Sequence, residues 1–178
     1  NHYAICGVDL SHTIDLTCVT TLIEKQGELY AIAHFFMPGA KIEENSVRDA
    51  LPYQIYIARG LLTPSGENYV DYKDVYNYMV RLVEEYQILP LQVGYDRWSA
   101  QYLIQDLQNY GFQCDSVFQG TNLTGVIDET EGMLKDGKIH IGDNDLLKMH
   151  LLNSAMKTET ESNKRKLIKV NSRLHIDG

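Results

Sequence analysis

YAICGVDL, at residues 3–10, is a nearly continuous apolar run that ends close to a single carboxylate, Asp9. Runs of this kind are typical of a strand at the centre of an α/β sheet, with helices covering both of its faces. We therefore expect residues 3–10 to form a central strand that is buried on both faces. Asp9 would then lie at the carboxyl end of that strand.

The next two segments predict a hairpin. Residues 16–24 (LTCVTTLIE) and 28–37 (ELYAIAHFFM) are rich in β-branched and aromatic side chains, and Lys25-Gln26-Gly27 separates them. A short glycine-containing connection between two such runs is a turn signal. The first three strands should form an antiparallel meander.

A long helix is expected after an irregular stretch. Residues 38–70 contain repeated proline and glycine, which predicts loops with one short helix at 53–59. From Asp71, a plausible N-cap, the apolar residues recur with the period of a helix. The predicted inner face consists of Val75, Tyr78, Met79, Leu82, Val83 and Tyr86.

Strand and helix patterns then alternate. Residues 90–95 should form a strand that ends at Asp96, residues 99–110 a helix that stops at Gly111, and residues 112–119 another strand. This order predicts an α/β fold, in which an antiparallel meander is followed by parallel strands in one mixed sheet flanked by helices. Further on, the pattern suggests helices at 128–135 and 143–156, an extended piece at 138–141, a loop at 158–166 and a last strand at 167–172.

The bulk composition fits one globular domain. The chain has 178 residues, 44% of them hydrophobic and 22% charged, which predicts a single domain with one core. No apolar run approaches the length of a membrane span and no secretion signal is evident, so we expect a cytoplasmic protein without a membrane partner. Cys6, Cys18 and Cys114 are odd in number and widely spaced, which favours reduced thiols.

The charge is unevenly distributed. A net charge of −8 argues mildly against nucleic-acid binding, but a basic stretch lies near the C-terminus. Contact with a DNA backbone and a solvated loop face are both open interpretations of this stretch. The candidate DNA-binding residues are Lys164, Arg165, Lys166, Lys169 and Arg173.

Three aspartates suggest metal chemistry. Asp9, Asp96 and Asp177 each stand beside apolar or glycine residues at the end of a predicted element. Parallel strands bring their carboxyl ends to one edge of a sheet, so at least Asp9 and Asp96 should meet there. Clustered carboxylates fit Mg²⁺ or Mn²⁺, and two such ions can hydrolyse a phosphodiester bond.

Four segments, taken in order, resemble one family. GVDLSHTIDLT, PYQIYIARGLLTPSGENYVDY, VGYDRWSAQYLIQDL and KVNSRLHIDG are similar to the C-terminal nuclease domain of the terminase large subunit of tailed phages or prophages. The resemblance covers nearly the whole chain. It implies a ribonuclease-H-like fold, with Asp9, Asp96 and Asp177 as catalytic, metal-binding residues.

The resemblance also implies a setting. The expected activity is two-metal cutting of double-stranded concatemeric viral DNA during genome packaging, in the cytoplasm of a host bacterium. Expected partners are the terminase small subunit, the portal protein and an ATPase domain in the same parent chain. The 178 residues would then be a fragment, without that ATPase domain and without the final helix of the parent.

Three residues are possible auxiliaries. His175 lies two residues before Asp177 and could bind metal or act as a general base, provided that the backbone there is extended. Asp15 could support Asp9, and Arg97, next to Asp96, could contact a phosphate.

Other functions stay open on the sequence. A Holliday-junction resolvase or an integrase-like nuclease would use a similar acidic cluster on the same fold. A non-catalytic module that docks DNA or the portal in the packaging motor would keep the carboxylates for structure alone. An actin-like or sugar-kinase half-domain would need a second glycine-rich phosphate loop, which we do not find in the sequence.

Overall fold

A mixed sheet organises the computed structural model, which describes residues 1–11, 16–96, 100–171 and 174–176. Within those residues the sheet has seven strands in the order β4-β3-β2-β1-β5-β6, with β7 pairing beside β3. The strands are β1 (His2–Asp9), β2 (Thr17–Lys25), β3 (Glu28–Met37), β4 (Leu62–Pro64), β5 (Ile88–Asp96), β6 (Cys114–Val117) and β7 (Ile139–His140). The predicted α/β fold class is confirmed.

The N-terminal meander is antiparallel, as predicted. β1 pairs with β2, and β2 pairs with β3 along its whole length, up to Lys25 opposite Glu28. The turn residues Gln26 and Gly27 both have positive φ, 56° and 78°. Two such residues give a tight turn whose twist matches that of the two strands.

The other pairings in the sheet are parallel. β5 pairs with β1, and β6 pairs with β5. The ladder of β1 and β5 shifts register between Ala4 and Ile5, where Pro90 is the partner of Ala4. Proline has no N–H to donate to a strand ladder. The bulge lies at this point, where the regular pattern would otherwise lack one hydrogen bond.

Two helices cover one face of the sheet, which we call face A. They are α3 (Tyr72–Glu84) and α4 (Gln101–Tyr110). The Asp71 side chain caps α3 by accepting from the Lys73 N–H at 2.9 Å, and Gly111 ends α4 with φ of 121°. Both signals were predicted. Buried side chains of the helices meet Cys6, Val8 and Val93 of the sheet in one apolar cluster; they are Val75, Met79, Leu82, Leu103, Ile104 and Leu107.

A second layer covers part of the opposite face, face B. It contains α1 (Ile42–Asp49), α2 (Tyr53–Ala58) and α6 (Asp145–Leu152), which pack with Cys18, Phe35 and Leu62 in a separate apolar cluster. The prediction of one core was therefore wrong, since a sheet between two layers makes a core on each side. These layers leave face B of β1 open, where Tyr3 is 64% and Ile5 56% exposed. The prediction that β1 is buried on both faces was wrong for the same reason.

Several boundaries differ from the predicted ones. The structure has a 3₁₀ turn at Gly39–Lys41, then α1, and then β4, all within the stretch predicted to be irregular apart from one helix. Glycine and proline flank α1 without interrupting it, and the helix ends at Ala50 in the left-handed conformation, with φ of 54°. A non-glycine C-terminal residue of this kind gives no sequence signal for the end of a helix.

The C-terminal third contains a small separate hairpin. After α5 (Thr124–Lys135) and α6, strand β8 (Ser154–Thr158) pairs antiparallel with β9 (Arg165–Lys169). The predicted helix at 143–156 thus ends early, at Leu152, and only residues 159–164 of the predicted loop at 158–166 form the hairpin connection. In the described part of the chain, no helix has the length and apolar character needed to cross a bilayer.

His34 ties three elements of face A together. Its Nε2 lies 2.7 Å from the Thr63 hydroxyl of β4, and its ring stacks on Tyr78 of α3 at a centroid distance of 4.6 Å. Burial, reinforced by the positive charge of Arg81, lowers the pKa of His34 from 6.5 to about 4. The imidazole is therefore neutral in the folded protein near pH 7.

We expect this histidine to make folding sensitive to acid. Because its pKa is lower in the folded than in the unfolded chain, its contribution is complete above pH 6.5 and is lost as the pH falls toward 4. The loss should reach about 3 kcal/mol in the free energy of unfolding. Urea titrations of the wild type and His34→Gln from pH 7.5 to 4 should show a shallower pH dependence in the variant. The exposed His2, as His2→Gln, is the control, and equal slopes for wild type and His34→Gln would contradict the assignment.

Candidate metal site at the carboxyl edge of the sheet

Asp9 and Asp96 end two neighbouring parallel strands. Val8 of β1 is in register with Tyr95 of β5, and each aspartate is the next residue of its strand. Neighbouring strands lie about 4.8 Å apart. Val8 and Tyr95 both pack toward the face A cluster, so the alternation of side chains places both carboxylates on face B.

Two glycines lie beside these carboxylates on the same face. Gly7 and Gly94 are register partners, two residues before Asp9 and Asp96. A Cβ atom on Gly7 would meet no described atom within 4 Å, whereas a Cβ on Gly94 would come within 3.1 Å of the Val117 side chain. Face B next to the carboxylates is therefore formed by backbone without side chains at Gly7 and Gly94, and it is exposed to solvent at Gly7.

Two hydrogen bonds fix the chain just after Asp9. The Ser11 N–H donates to the Thr17 hydroxyl at 3.1 Å, and the Tyr72 hydroxyl donates to the Ser11 carbonyl at 3.2 Å. Ser11 is thereby linked both to the start of β2 and to α3. The carboxyl end of β1 is held from two sides.

The donors at this edge fit a hard divalent cation. Aspartate oxygens are the ligands that Mg²⁺ and Mn²⁺ prefer, and one or two carboxylates with water commonly suffice for Mg²⁺. Within the described residues, no group of three or more His, Cys, Asp or Glu side chains is placed to hold a metal ion. The third predicted ligand, Asp177, lies outside the described residues, as do the predicted auxiliaries Asp15 and Arg97.

His175 lies in a buried polar cluster. Its Nε2 is 3.1 Å from Asp49 Oδ2, and the His175 and Asp49 side chains are 4% and 6% exposed. Arg48 donates two hydrogen bonds to the same carboxylate, at 2.6 and 2.8 Å, and the Tyr53 hydroxyl donates a further one at 2.8 Å. A main-chain contact also holds His175, because Asn153 Nδ2 donates to its carbonyl at 3.1 Å.

The hydrogen bonds keep Asp49 ionised. Burial raises the pKa of Asp49, but the bonds from Arg48 and Tyr53 and the charge of His175 outweigh that effect, so the pKa lies below its ordinary value. An ionised carboxylate accepts hydrogen bonds on both oxygens. The cluster therefore has a fixed anionic centre with donors around it.

The predicted DNA-binding residues do not share one surface. Arg165 makes ion pairs with Asp128 and Glu131 of α5, at 2.5 and 2.7 Å. By the register of the hairpin, Lys169 lies on the same face as Arg165, whereas Lys166 lies on the opposite face. Lys164 is exposed in the connection, and Arg173 lies outside the described residues.

This arrangement defines a class of protein. A meander followed by parallel strands, helices on both faces and two aspartates at the carboxyl ends of adjacent strands together make a ribonuclease-H-like α/β domain. The predicted fold is confirmed at this level too.

The sequence also identifies the family. The profile described as "Terminase large subunit, endonuclease domain" matches residues 2–178, so the chain belongs to that family. The terminase large subunit of Enterobacteria phage HK97 is 26% identical over 176 residues, which is 97% of this chain and 34% of that protein. The resemblance stated from the four sequence segments is confirmed.

Solved structures agree on the fold. The crystal structure of the HK97 bacteriophage large terminase matches with a TM-score of 0.87 and 24% identity, over 100% of this chain and 37% of that one. The large terminase nuclease from thermophilic phage G20c, crystallised with bound magnesium, matches with a TM-score of 0.61 and 13% identity, over 99% and 76%. The chain therefore spans about a third of the HK97 protein.

Sequence reasoning missed the cluster around Asp49. Asp49 and Arg48 lie in α1, a helix that was not predicted, and about 125 residues of sequence separate them from His175. No short motif links positions so far apart.

We expect Arg165 to hold the hairpin of β8 and β9 against α5. Replacing Arg165 with Gln removes both ion pairs, so amide hydrogens of residues 154–169 should exchange faster while those of β1 and β5 do not change. Hydrogen exchange followed by mass spectrometry measures this. The control is Lys166→Gln, one residue along on the other hairpin face, and equal acceleration in the two variants would show that Arg165 has no special role.

Proposed function

We propose that this chain is a divalent-metal-dependent endonuclease domain that cuts double-stranded concatemeric viral DNA during genome packaging. The observation that carries the proposal is the placement of Asp9 and Asp96 side by side on the open part of face B. Membership of the terminase family supports it. So does the related G20c nuclease structure with magnesium bound.

Asp9, Asp96 and Asp177 would together hold two Mg²⁺ or Mn²⁺ ions. Such ions supply an activated water and stabilise the leaving oxygen in phosphodiester hydrolysis. The chain's own part is to keep the carboxylates at a fixed spacing, which the pairing of β1 with β5 provides. Asp15 would support Asp9, and Arg97 would contact a phosphate near Asp96.

The glycines Gly7 and Gly94 on face B would let the nucleic-acid backbone come close to the sheet. Gly7 presents no side chain beside Asp9, and the space above it is open. A sugar–phosphate chain must come close to the carboxylates for its phosphate to reach the bound ions. Glycine permits such close approach to the protein backbone.

Basic residues near the C-terminus would neutralise the DNA backbone. Lys164 and Lys166 are exposed on or near the hairpin and would contact phosphates, while Lys169, on the opposite hairpin face, and Arg173 would contact others. Arg165 would act in the same region while it fixes the hairpin to α5. Phosphate contacts carry no sequence information, which fits cutting with little sequence preference.

The rest of the packaging machinery would supply the context. Because the chain spans about a third of the HK97 relative, we propose an ATPase domain in the same parent chain, with the terminase small subunit and the portal protein as partners. The setting would be the cytoplasm of a host bacterium.

A cleavage assay tests the activity. Supercoiled plasmid should be nicked and linearised with Mn²⁺ or Mg²⁺ and left intact with EDTA, and Asp9→Asn, Asp96→Asn and Asp177→Asn should each abolish cutting. The substitutions remove one charge at constant shape, so thermal unfolding without metal should show that the variants fold. Mn²⁺ binding, followed by calorimetry, should weaken in parallel.

Asp136→Asn is the matched control, because Asp136 lies in an exposed turn after α5 and should not affect cutting. If plasmid stays intact under all metal conditions while the wild type still binds DNA, the chain is a docking module. A strong preference for four-way junctions over linear duplex would favour a resolvase.

Gly7 offers a separate test of the DNA path. Gly7→Val should leave the melting temperature almost unchanged, because nothing lies within 4 Å of the new Cβ, and it should raise the KM for plasmid by about tenfold or more. Gly94→Ala is the contrast, because its Cβ would come within 3.1 Å of the Val117 side chain, which would have to shift to admit it. If the KM of Gly7→Val equals that of the wild type, DNA does not pass close to Gly7.

A further inference from the structure

A stack of rings connects the sheet edge that carries Asp9 with the C-terminal segment. Asp9 is in register with Cys18 of β2, and Cys18 with Phe35 of β3, so the three lie in one row on face B. The His150 ring lies against Phe35, with centroids 4.8 Å apart, and the His175 ring stacks on His150 at 6.1 Å. Phe35 is two strands, about 10 Å, from Asp9.

This stack places residues 174–176 over face B, beside the row formed by Asp9, Cys18 and Phe35. The segment also leads directly to Asp177, the third proposed ligand, two residues after His175. The anchoring of His175 therefore fixes the position of the chain two residues before Asp177. His175 has contacts on both its side chain and its carbonyl, from residues far away in sequence.

We propose that Asp49 and His175 form a positioning pair that delivers Asp177 to the metal site, and that His175 itself is not a metal ligand. This inference rests on the proposed function. The His175 Nε2 is in contact with Asp49 at 3.1 Å and with Arg48 at 3.3 Å, and the side chain is 4% exposed, so the ring is held within this cluster. Both partners belong to α1, which packs in the face B layer.

Burial makes the contact between Asp49 and His175 costly to lose. Both side chains of the pair are more than nine-tenths buried, and Arg48 fixes the carboxylate with two hydrogen bonds. Removing one partner of such a pair leaves the other buried with an unfilled hydrogen bond, which favours local opening of the less anchored segment. That segment is 174–176, since Asp49 lies within a helix and has Arg48 and Tyr53 as further partners.

Three variants separate positioning from packing and from ligation. His175→Phe keeps a ring for the stack on His150 but loses the contact with Asp49. His175→Gln can donate from its amide to Asp49, but it is not an imidazole. Tyr53→Phe is the matched control, because it removes another hydrogen bond to the same carboxylate and leaves His175 in place.

The first measurement needs no metal. Hydrogen exchange of the metal-free chain should become faster at residues 174–178 in His175→Phe, and should stay close to wild type in His175→Gln and Tyr53→Phe. Unchanged exchange in His175→Phe would overturn the proposal. Equal acceleration in His175→Phe and Tyr53→Phe would do the same, since it would indicate general loosening.

The second measurement is Mn²⁺ binding by calorimetry, with Mn²⁺-dependent plasmid cutting alongside. His175→Phe should bind Mn²⁺ about tenfold more weakly, as is usual when a residue that orients a ligand is lost. Its cutting rate at saturating Mn²⁺ should approach that of the wild type, and His175→Gln should restore the affinity. If His175→Gln loses the affinity as completely as His175→Phe, then the imidazole is a ligand and the proposal is wrong.

The two proposals can fail separately. A wild-type chain that binds Mn²⁺ and cuts plasmid, with His175→Phe identical to it, refutes the positioning pair alone. A wild-type chain that neither binds Mn²⁺ nor cuts plasmid refutes the nuclease function, and the positioning role in metal binding along with it.

Discussion

The parallel pairing of β1 with β5 is the constraint on which the site depends. It brings two carboxylates to neighbouring positions of one sheet edge, where like charges repel. The pairing withstands this because the same two strands bury Cys6, Val8 and Val93 against α3 and α4 on face A. Apolar contact on one face thus holds an acidic pair on the other.

The two faces of the sheet are covered by different elements and to different extents. Face A is covered over β1 and β5 by two amphipathic helices, and its side chains include the buried His34. Among the described residues, α1, α2 and α6 cover face B on the far side of β1, and Tyr3 and Ile5 on face B of β1 are exposed.

Local signals predicted the framework well. Three of these signals each depend on a few adjacent residues, and the structure has all of them: the turn at Gln26-Gly27, the Asp71 cap of α3 and the end of α4 at Gly111. The meander, the following parallel strands and the approach of Asp9 and Asp96 could be deduced from these elements and from strand order.

Features that depend on distant contacts could not be predicted in this way. β4 has three residues and β7 has two, too few to show the alternation of apolar and polar residues that marks a strand. Both are strands because they pair with β3. The open strip on β1 escaped prediction because YAICGVDL resembles one continuous apolar run, although its face A residues are all apolar and its face B residues include Gly7 and Asp9. The roles of Asp9, Asp96 and Asp177 stay predictions.

The outer edge of β3 bears on how the chain reaches its native state. Its amides and carbonyls pair near one end with residues 62–64 and near the other with residues 139–140, which lie more than 70 positions apart in the sequence. While a ribosome is still making the intervening stretch, the half of this edge near Leu29 has no partner strand from within the domain. An unprotected strand edge is a template for pairing with another nascent chain. Lys25 and Glu28, at the adjoining turn, add charge there and would discourage such association until β7 emerges.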